Sequence, residues 1–242
     1  MIVMICAGCT NIFLLYTPVA HVIMEERGDF MKDIPIFDTE YGVASLFLRE
    51  IPYRKRAHIK LQSALEPEKL LEECLRFCRM CGAEWCDASG NAILEQYPLI
   101  TALQEMRCSR DSIGQTDACM FPVTEQTVQR WLDIYNERME QVPNAAYMDA
   151  RDGKQLLKTG DGYFVHRNGQ LLGIGKASGD FIDAVIATEP GAGETVVKAL
   201  SSVLVEDVVR LWVATANERA VRLYERMGFV PVKELSRWYR VL

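Results

Sequence analysis

Hydrophobic residues along this chain fall into short blocks of two kinds. Some alternate with polar residues and some recur every three or four positions, with Pro, Gly and Asn marking the changes. Alternation predicts strands and the longer period predicts amphipathic helices. Residues 42–48 alternate loosely and favour strands, and 57–61 repeat the pattern beyond a turn containing Pro52. From Pro67 the period lengthens. Leu70, Leu71, Cys74, Leu75, Cys78 and Cys81 share one helical face, with Pro67 suited to the first helical position and Gly82 to the stop. A strand over 84–88 should follow. Residues 93–106 have helical spacing in spite of Pro98, and the polar stretch 110–117, with Gly114, reads as a linker.

Beyond the linker, Thr124 is placed to cap a helix whose apolar face is Val128, Trp131, Leu132, Tyr135 and Met139, and Pro143 ends it. Residues 162–167 and 170–176 are strands flanking Asn168-Gly169, the strongest short-range hairpin signal in the chain. A strand over 183–187 runs into Thr188-Glu189-Pro190-Gly191-Ala192-Gly193 and a helix over 194–204. A strand at 208–214, a helix at 217–227 stopped by Gly228, and a strand at 238–242 complete the pattern. After its opening helix this half therefore reads β-β-β-α-β-α-β.

Composition narrows the class. Of 242 residues, 49% are hydrophobic and 25% charged, the balance of a folded globular protein. The net charge is −6, and the only basic cluster is the short Arg54-Lys55-Arg56, so nucleic acid is not an expected partner. Eight cysteines (6, 9, 74, 78, 81, 86, 108 and 119) read as reduced thiols, which points to the cytoplasm. The uncharged stretch 1–24 lacks the positive start of a signal peptide. Asn11, Pro18 and His21 suit hydrocarbon badly, so it reads as a buried strand, or as sequence ahead of a start at Met24, and no membrane role is expected.

Two motifs compete to carry chemistry. Cys74, Cys78 and Cys81 have the C-x3-C-x2-C spacing found in radical-SAM iron–sulfur enzymes. The same offsets put all three on one helical face with Leu71, which is what a packed core needs. Cys6-Ala-Gly-Cys9 would be half a zinc site and has no second pair beside it. The other motif is the glycine turn. Backbone N–H groups of Gly191, Ala192, Gly193, Glu194 and Thr195 can converge on one anion where the turn becomes a helix.

Downstream, Asn217-Glu218-Arg219-Ala220-Val221-Arg222-Leu223-Tyr224-Glu225-Arg226-Met227-Gly228-Phe229 resembles the helix-and-turn signature near the end of GNAT acyltransferases. The resemblance implies that acetyl-CoA binds here, its pyrophosphate on residues 191–195, with Val185, Ile186 and Ala187 also among the cofactor-binding residues. It also implies that a backbone N–H of the strand 184–187 steadies the oxyanion while an amine attacks the thioester directly, and that Tyr224 protonates the departing thiolate. Asn217 belongs to the same implied cofactor site. The family carries a basic residue or Gln where this chain has Thr188. Asp183 is a candidate base, and His166 a weaker one. Each residue also has a structural reading: Asn217 as a helix cap, Tyr224 as a core aromatic, and Asp183 as a solvated strand-end carboxylate.

Ala88-Ser89-Gly90-Asn91 followed by Tyr97 echoes Ala214-Thr215-Ala216-Asn217 followed by Tyr224, and the first half has Ala64-Leu65-Glu66-Pro67 where the second has glycines. The expected architecture is therefore α/β (α+β). Two tandem GNAT-like domains would each hold a mixed, mostly antiparallel sheet flanked by helices: 1–115, degenerate and including the apolar segment 1–22, and 116–242, the acetyltransferase. The acceptor would be a small-molecule or peptide amine. A non-catalytic acyl-CoA-binding or interaction protein is the alternative.

Overall fold

The computed structural model describes residues 35–242 together with the backbone of the short strand β1 (His21–Ile23). The expectations for residues 1–20, Cys6 and Cys9 included, lie outside the described residues. The chain forms two compact units, 1–96 with 241–242, and 97–240. The division comes ahead of the 115/116 boundary expected from the linker. Among the described residues no helix is long and apolar enough to cross a membrane.

Among the described residues the first unit is a five-stranded mixed sheet with one long helix. Its elements are β1, β2 (Ile36–Thr39), β3 (Gly42–Phe47), the single turn α1 (Ile51–Arg54), β4 (Arg56–Ala64), α2 (Pro67–Met80) and β5 (Trp85–Ser89). They pair in sequence order, antiparallel except for β4 with β5. Strict alternation on β4 buries Ala57, Ile59 and Leu61 beneath α2, which contributes Leu70, Leu71, Cys74 and Cys78. The cysteine spacing is thus used for packing: Cys74 and Cys78 are fully buried, whereas Cys81, past the end of the helix, is exposed. Burial pushes the Cys74 thiol up to about 12, far from the thiolate that a metal or an electrophile would need.

The second unit is a seven-stranded sheet with helices on both faces. It contains β6 (Leu99–Ser109), the turn α3 (Arg110–Ile113), β7 (Cys119–Pro122), α4 (Val128–Met139), α5 (Ala150–Thr159), β8 (Gly162–Arg167), β9 (Gln170–Ser178), β10 (Phe181–Ala187), α6 (Gly193–Ser201), β11 (Val208–Ala214), α7 (Glu218–Arg226) and β12 (Val230–Arg240). The order across the sheet is β12-β6-β11-β10-β9-β8-β7, and only β10 and β11 run parallel.

Residues 93–106 are a correction. They form a 3-10 turn and then most of β6, because β6 lies between β11 and β12 with neighbours on both edges. Its polar residues are buried by pairing, Thr101 near Thr215 at 3.4 Å and Glu105 against Arg107 at 2.7 Å, which hides the period of two. Two further differences follow from local structure. β12 begins at Val230 rather than 238, and α5, which the sequence reading missed, is started by an Asp149–Asp152 capping box. At the hairpin, Asn168 and Gly169 both have positive φ, 52° and 80°, as expected for a type I′ turn.

α4 and α5 cover one face of the β8–β10 region, with Trp131, Leu132 and Leu156 against Phe164, Ile174, Ala184 and Ile186. α6 and α7 cover the other, with Val196, Val197, Leu200 and Tyr224 against Val165, Ile182, Val209, Leu211 and Val213. α6 sits tightly on β9. A Cβ on Gly175 would come within 2.3 Å of Leu200, and one on Gly173 within 2.7 Å of Val196.

Candidate functional site

Strands β10 and β11 begin together and then part. Their ladder holds only Phe181↔Arg210 and Ile182↔Leu211, while β10 stays paired with β9 through Ala187. A bulge at Asp183 sits where the strands separate. It also switches the facing of the chain: Ile182 belongs to the core beneath α6, but Ala184, two residues on, belongs to the opposite core.

Past the bulge, ladder groups alternate in direction. Thr188 donates its N–H to Leu172 on β9, so Ile186 also faces β9, and Val185 and Ala187 direct their N–H and C=O groups into the gap left by β11. Of the three residues of this strand expected to bind the cofactor, Val185 and Ala187 therefore present backbone, and Ile186 is held in the ladder with its side chain in the core. Unpaired strand edges of this kind are filled by water or by an extended ligand carrying amides.

The turn after β10 leads directly to α6. Gly191 has φ +82°, a left-handed conformation with open space around its Cα. Ala192 is the cap residue of α6 and its side chain makes no capping hydrogen bond. Its own N–H is already donated to Glu189, and the first helical donor with an internal acceptor is Val196, bonded to Ala192. The N–H groups of Gly193, Glu194 and Thr195 thus lie in the open first turn, where the helix dipole favours an anion. Gly193 also lets α7 approach, since a Cβ there would meet Leu223 at 2.9 Å.

Charge around this turn is arranged in ways the sequence reading missed. Glu194 leans back along the helix to Lys198 at 2.7 Å, and this contact, with a smaller contribution from Arg226, holds its carboxyl below the ordinary range. The position expected to be basic, Thr188, donates its hydroxyl to Leu171, and Arg138 of α4 reaches the Thr188 carbonyl at 3.4 Å. Arg167 extends to Thr195 Oγ1 at 3.4 Å. Neither Arg138 nor Arg167 is near in sequence, so no local pattern could have pointed to them.

On the other side of the gap, β11 passes through residues 215–217 into α7. Asn217 caps that helix, its Oδ1 accepting from Ala220 N–H at 3.2 Å. Tyr224 follows two turns later on the buried face, with its ring 5.7 Å from that of Phe229. Burial alone raises its pKa, so the phenol stays protonated at neutral pH and can give a proton but not take one as a base. Asp183 is exposed and paired with Lys176 at 3.2 Å, and Lys176 also approaches buried Asp161 at 3.5 Å. A role for Asp183 as a base has to be exercised from within that pair. His166 lies elsewhere, on β8 opposite Cys119, packed against Phe121.

Corresponding elements of the first unit are closed. β4 and β5 stay in register over five residue pairs, from Arg56↔Trp85 to Lys60↔Ser89. At the turn into α2, the N–H groups of Leu65 and Glu66 both donate to the Tyr41 carbonyl, and Pro67 has none to offer.

No protein-family model and no curated protein matches the sequence. Solved structures do resemble it. A conserved protein of unknown function from Staphylococcus epidermidis superposes with a TM-score of 0.54 at 12% identity, covering 91% of this chain and 93% of its own. A GCN5-related N-acetyltransferase from Anabaena variabilis gives 0.54 at 12% identity, covering 86% of this chain and 62% of its own. One from Kribbella flavida gives 0.52 at 10% identity, covering 86% and 59%.

Proposed function

We propose that this chain, which has the GNAT acyltransferase fold, binds acetyl-CoA in its second unit and transfers the acetyl group to an amine. The observation that carries this reading is the fork between β10 and β11, opening beside the uncapped first turn of α6. A strand edge with spare amides and a helix N-terminus with spare N–H groups fit an extended chain ending in phosphates.

On this reading the pyrophosphate rests on the N–H groups of Gly193, Glu194 and Thr195, with Gly191 keeping the approach open and Arg138 adding positive charge. The pantetheine amides pair with Val185 and Ala187. The amine nitrogen attacks the thioester carbonyl, and a β10 N–H steadies the negative charge that develops on oxygen. As the C–N bond forms and the C–S bond breaks, Tyr224 gives its proton to the sulfur. The nitrogen's surplus proton leaves to water or to Asp183. No covalent enzyme intermediate is required. The first unit is a GNAT-like domain without a cofactor slot.

The experiment is calorimetric titration of the whole chain with acetyl-CoA, followed by a coenzyme A release assay over a panel of amines. Binding with amine-dependent release is expected. Binding without release for any amine would favour the reading as a non-catalytic acyl-CoA-binding protein, and no binding would reject both.

A further inference from the structure

The two faces of the fork differ. α6, α7 and Tyr224 occupy one of them. On the other, β11 presents Arg210 and Trp212, β10 presents Phe181, and β6 presents Glu105 and Arg107, placed by the registers Arg210↔Arg107 and Trp212↔Glu105. Trp212 is the first residue of β11 beyond the last rung of its ladder with β10, so it stands at the mouth of the fork.

Charges on this face satisfy one another. Arg210 makes a two-pronged contact with Asp180, at 2.5 and 2.9 Å, and Arg107 meets Glu105 at 2.7 Å. Those two guanidinium groups and two carboxylates neutralise one another. What is left for recognition is Trp212, 53% exposed in the middle of a strand. Phe181 stands edge-on to it at 5.1 Å and 74°, and Arg210 lies 5.8 Å over the Phe181 ring, so the indole is braced from behind.

We propose that Trp212, backed by Phe181, is the platform that selects the acceptor, and that the acceptor is a primary amine carrying an aromatic ring. The inference rests on the acetyl-transfer reading in one respect. With the phosphates and the leaving sulfur on the α6 and α7 face, the nucleophile arrives from the opposite face, across Trp212. A ring packed on the indole directs its amine at the thioester carbonyl, whereas a polyamine would need unpaired carboxylates, and Glu105 and Asp180 are both engaged.

The test compares 2-phenylethylamine with spermidine on the full chain, for the wild type, Trp212→Ala and Trp212→Phe. Phenylethylamine is the expected better substrate. Trp212→Ala should raise its KM about three- to tenfold, the worth of one aromatic pair, with KM for acetyl-CoA unchanged. Trp212→Phe should recover most of the loss. Preference for spermidine, or an unaltered phenylethylamine KM in Trp212→Ala, overturns the proposal. So does a wild-type dimer that Trp212→Ala dissociates, since the indole would then belong to an interface between copies. Calorimetry with phenylethylamine alone separates the two readings. If acetyl-CoA does not bind but the wild type binds phenylethylamine and Trp212→Ala does not, the platform stands and the transfer reading fails. If phenylethylamine is neither bound nor turned over, the platform fails.

Discussion

Tyr224 is a single phenol on which a core reading and a catalytic reading meet. Its ring packs with Phe229 and its hydroxyl is kept protonated by burial. Tyr224→Phe keeps the ring, so acetyl-CoA affinity and melting temperature should change little. Turnover should fall, by about 10²-fold if proton donation to sulfur limits the rate and by less if the thiolate leaves easily. Steady-state kinetics with kcat unchanged would return Tyr224 to the core. His58 gives a second single-residue prediction. It is partly buried on β4, with Nε2 3.0 Å from Ser89 Oγ, and burial with the cations Arg56 and Lys60 lowers its pKa to about 3. An unfolded His58 takes up a proton below about pH 6.5. The folded one does so only near pH 3. The stability this contributes is full above the unfolded value and is lost as pH falls from 6.5 toward 3. Melting curves should show the wild type losing stability over that acid range more steeply than His58→Gln, and parallel curves would contradict this. At this scale Asn217 and the glycines of 191–193 were legible in the sequence because caps and turns are local chemistry. Asp183's pairing with Lys176, Arg138 over Thr188, and the Trp212 platform were not, because each joins residues remote along the chain or set by register.

Among the elements, most strands and helices announced themselves through period and punctuation: α2 between Pro67 and Gly82, the hairpin at Asn168-Gly169, and β11, which begins and ends where its alternation does. β6 did not. The spacing of Leu99, Leu103 and Met106 imitates a helix, and Thr101 and Glu105 are buried by partners on other strands or beside them. The bulge in β10 was equally hidden, though it is what turns Ala184 and Ile186 toward α4 and begins the gap. The turn from β10 into α6 carries the prediction at this scale. Gly191→Val puts a β-branched side chain at φ +82°, a conformation such residues strongly resist, at the edge of an open helix turn. The added Cβ itself meets no neighbour within 4 Å, so the fold should survive with a modest loss of stability. Acetyl-CoA should bind about tenfold more weakly or worse, the cost of losing one charge-assisted hydrogen bond from backbone to phosphate. An unchanged dissociation constant would make the turn a connector only.

Over the whole molecule, the two units differ most at the pair of parallel strands each contains. In the second, β10 and β11 are joined at two positions and then diverge. In the first, β4 and β5 remain in register over five, and at the following turn Leu65 and Glu66 give their N–H groups to the Tyr41 carbonyl and Pro67 has none, which leaves only Glu68 and Lys69 as open donors in the first turn of α2. A strand edge already paired to its neighbour has no backbone groups to give a ligand, and a helix start with fewer open N–H groups has less to offer a phosphate. Acetyl-CoA should therefore bind at a single site per chain, and calorimetry that counts two would refute the asymmetry. The same architecture decides which fragment carries that site. A cut at the polar stretch 110–117 looks natural from composition, but it removes β6 from between β11 and β12, where it pairs along nearly its whole length. A fragment of residues 116–242 would leave both of those strands with open edges facing a missing partner, and it should be insoluble or molten. One of residues 97–242 retains the complete seven-stranded sheet. It should fold, give a cooperative melt and bind acetyl-CoA. If instead the shorter fragment folds and binds as well as the longer one, β6 is dispensable, and the second unit begins where its sequence first suggested.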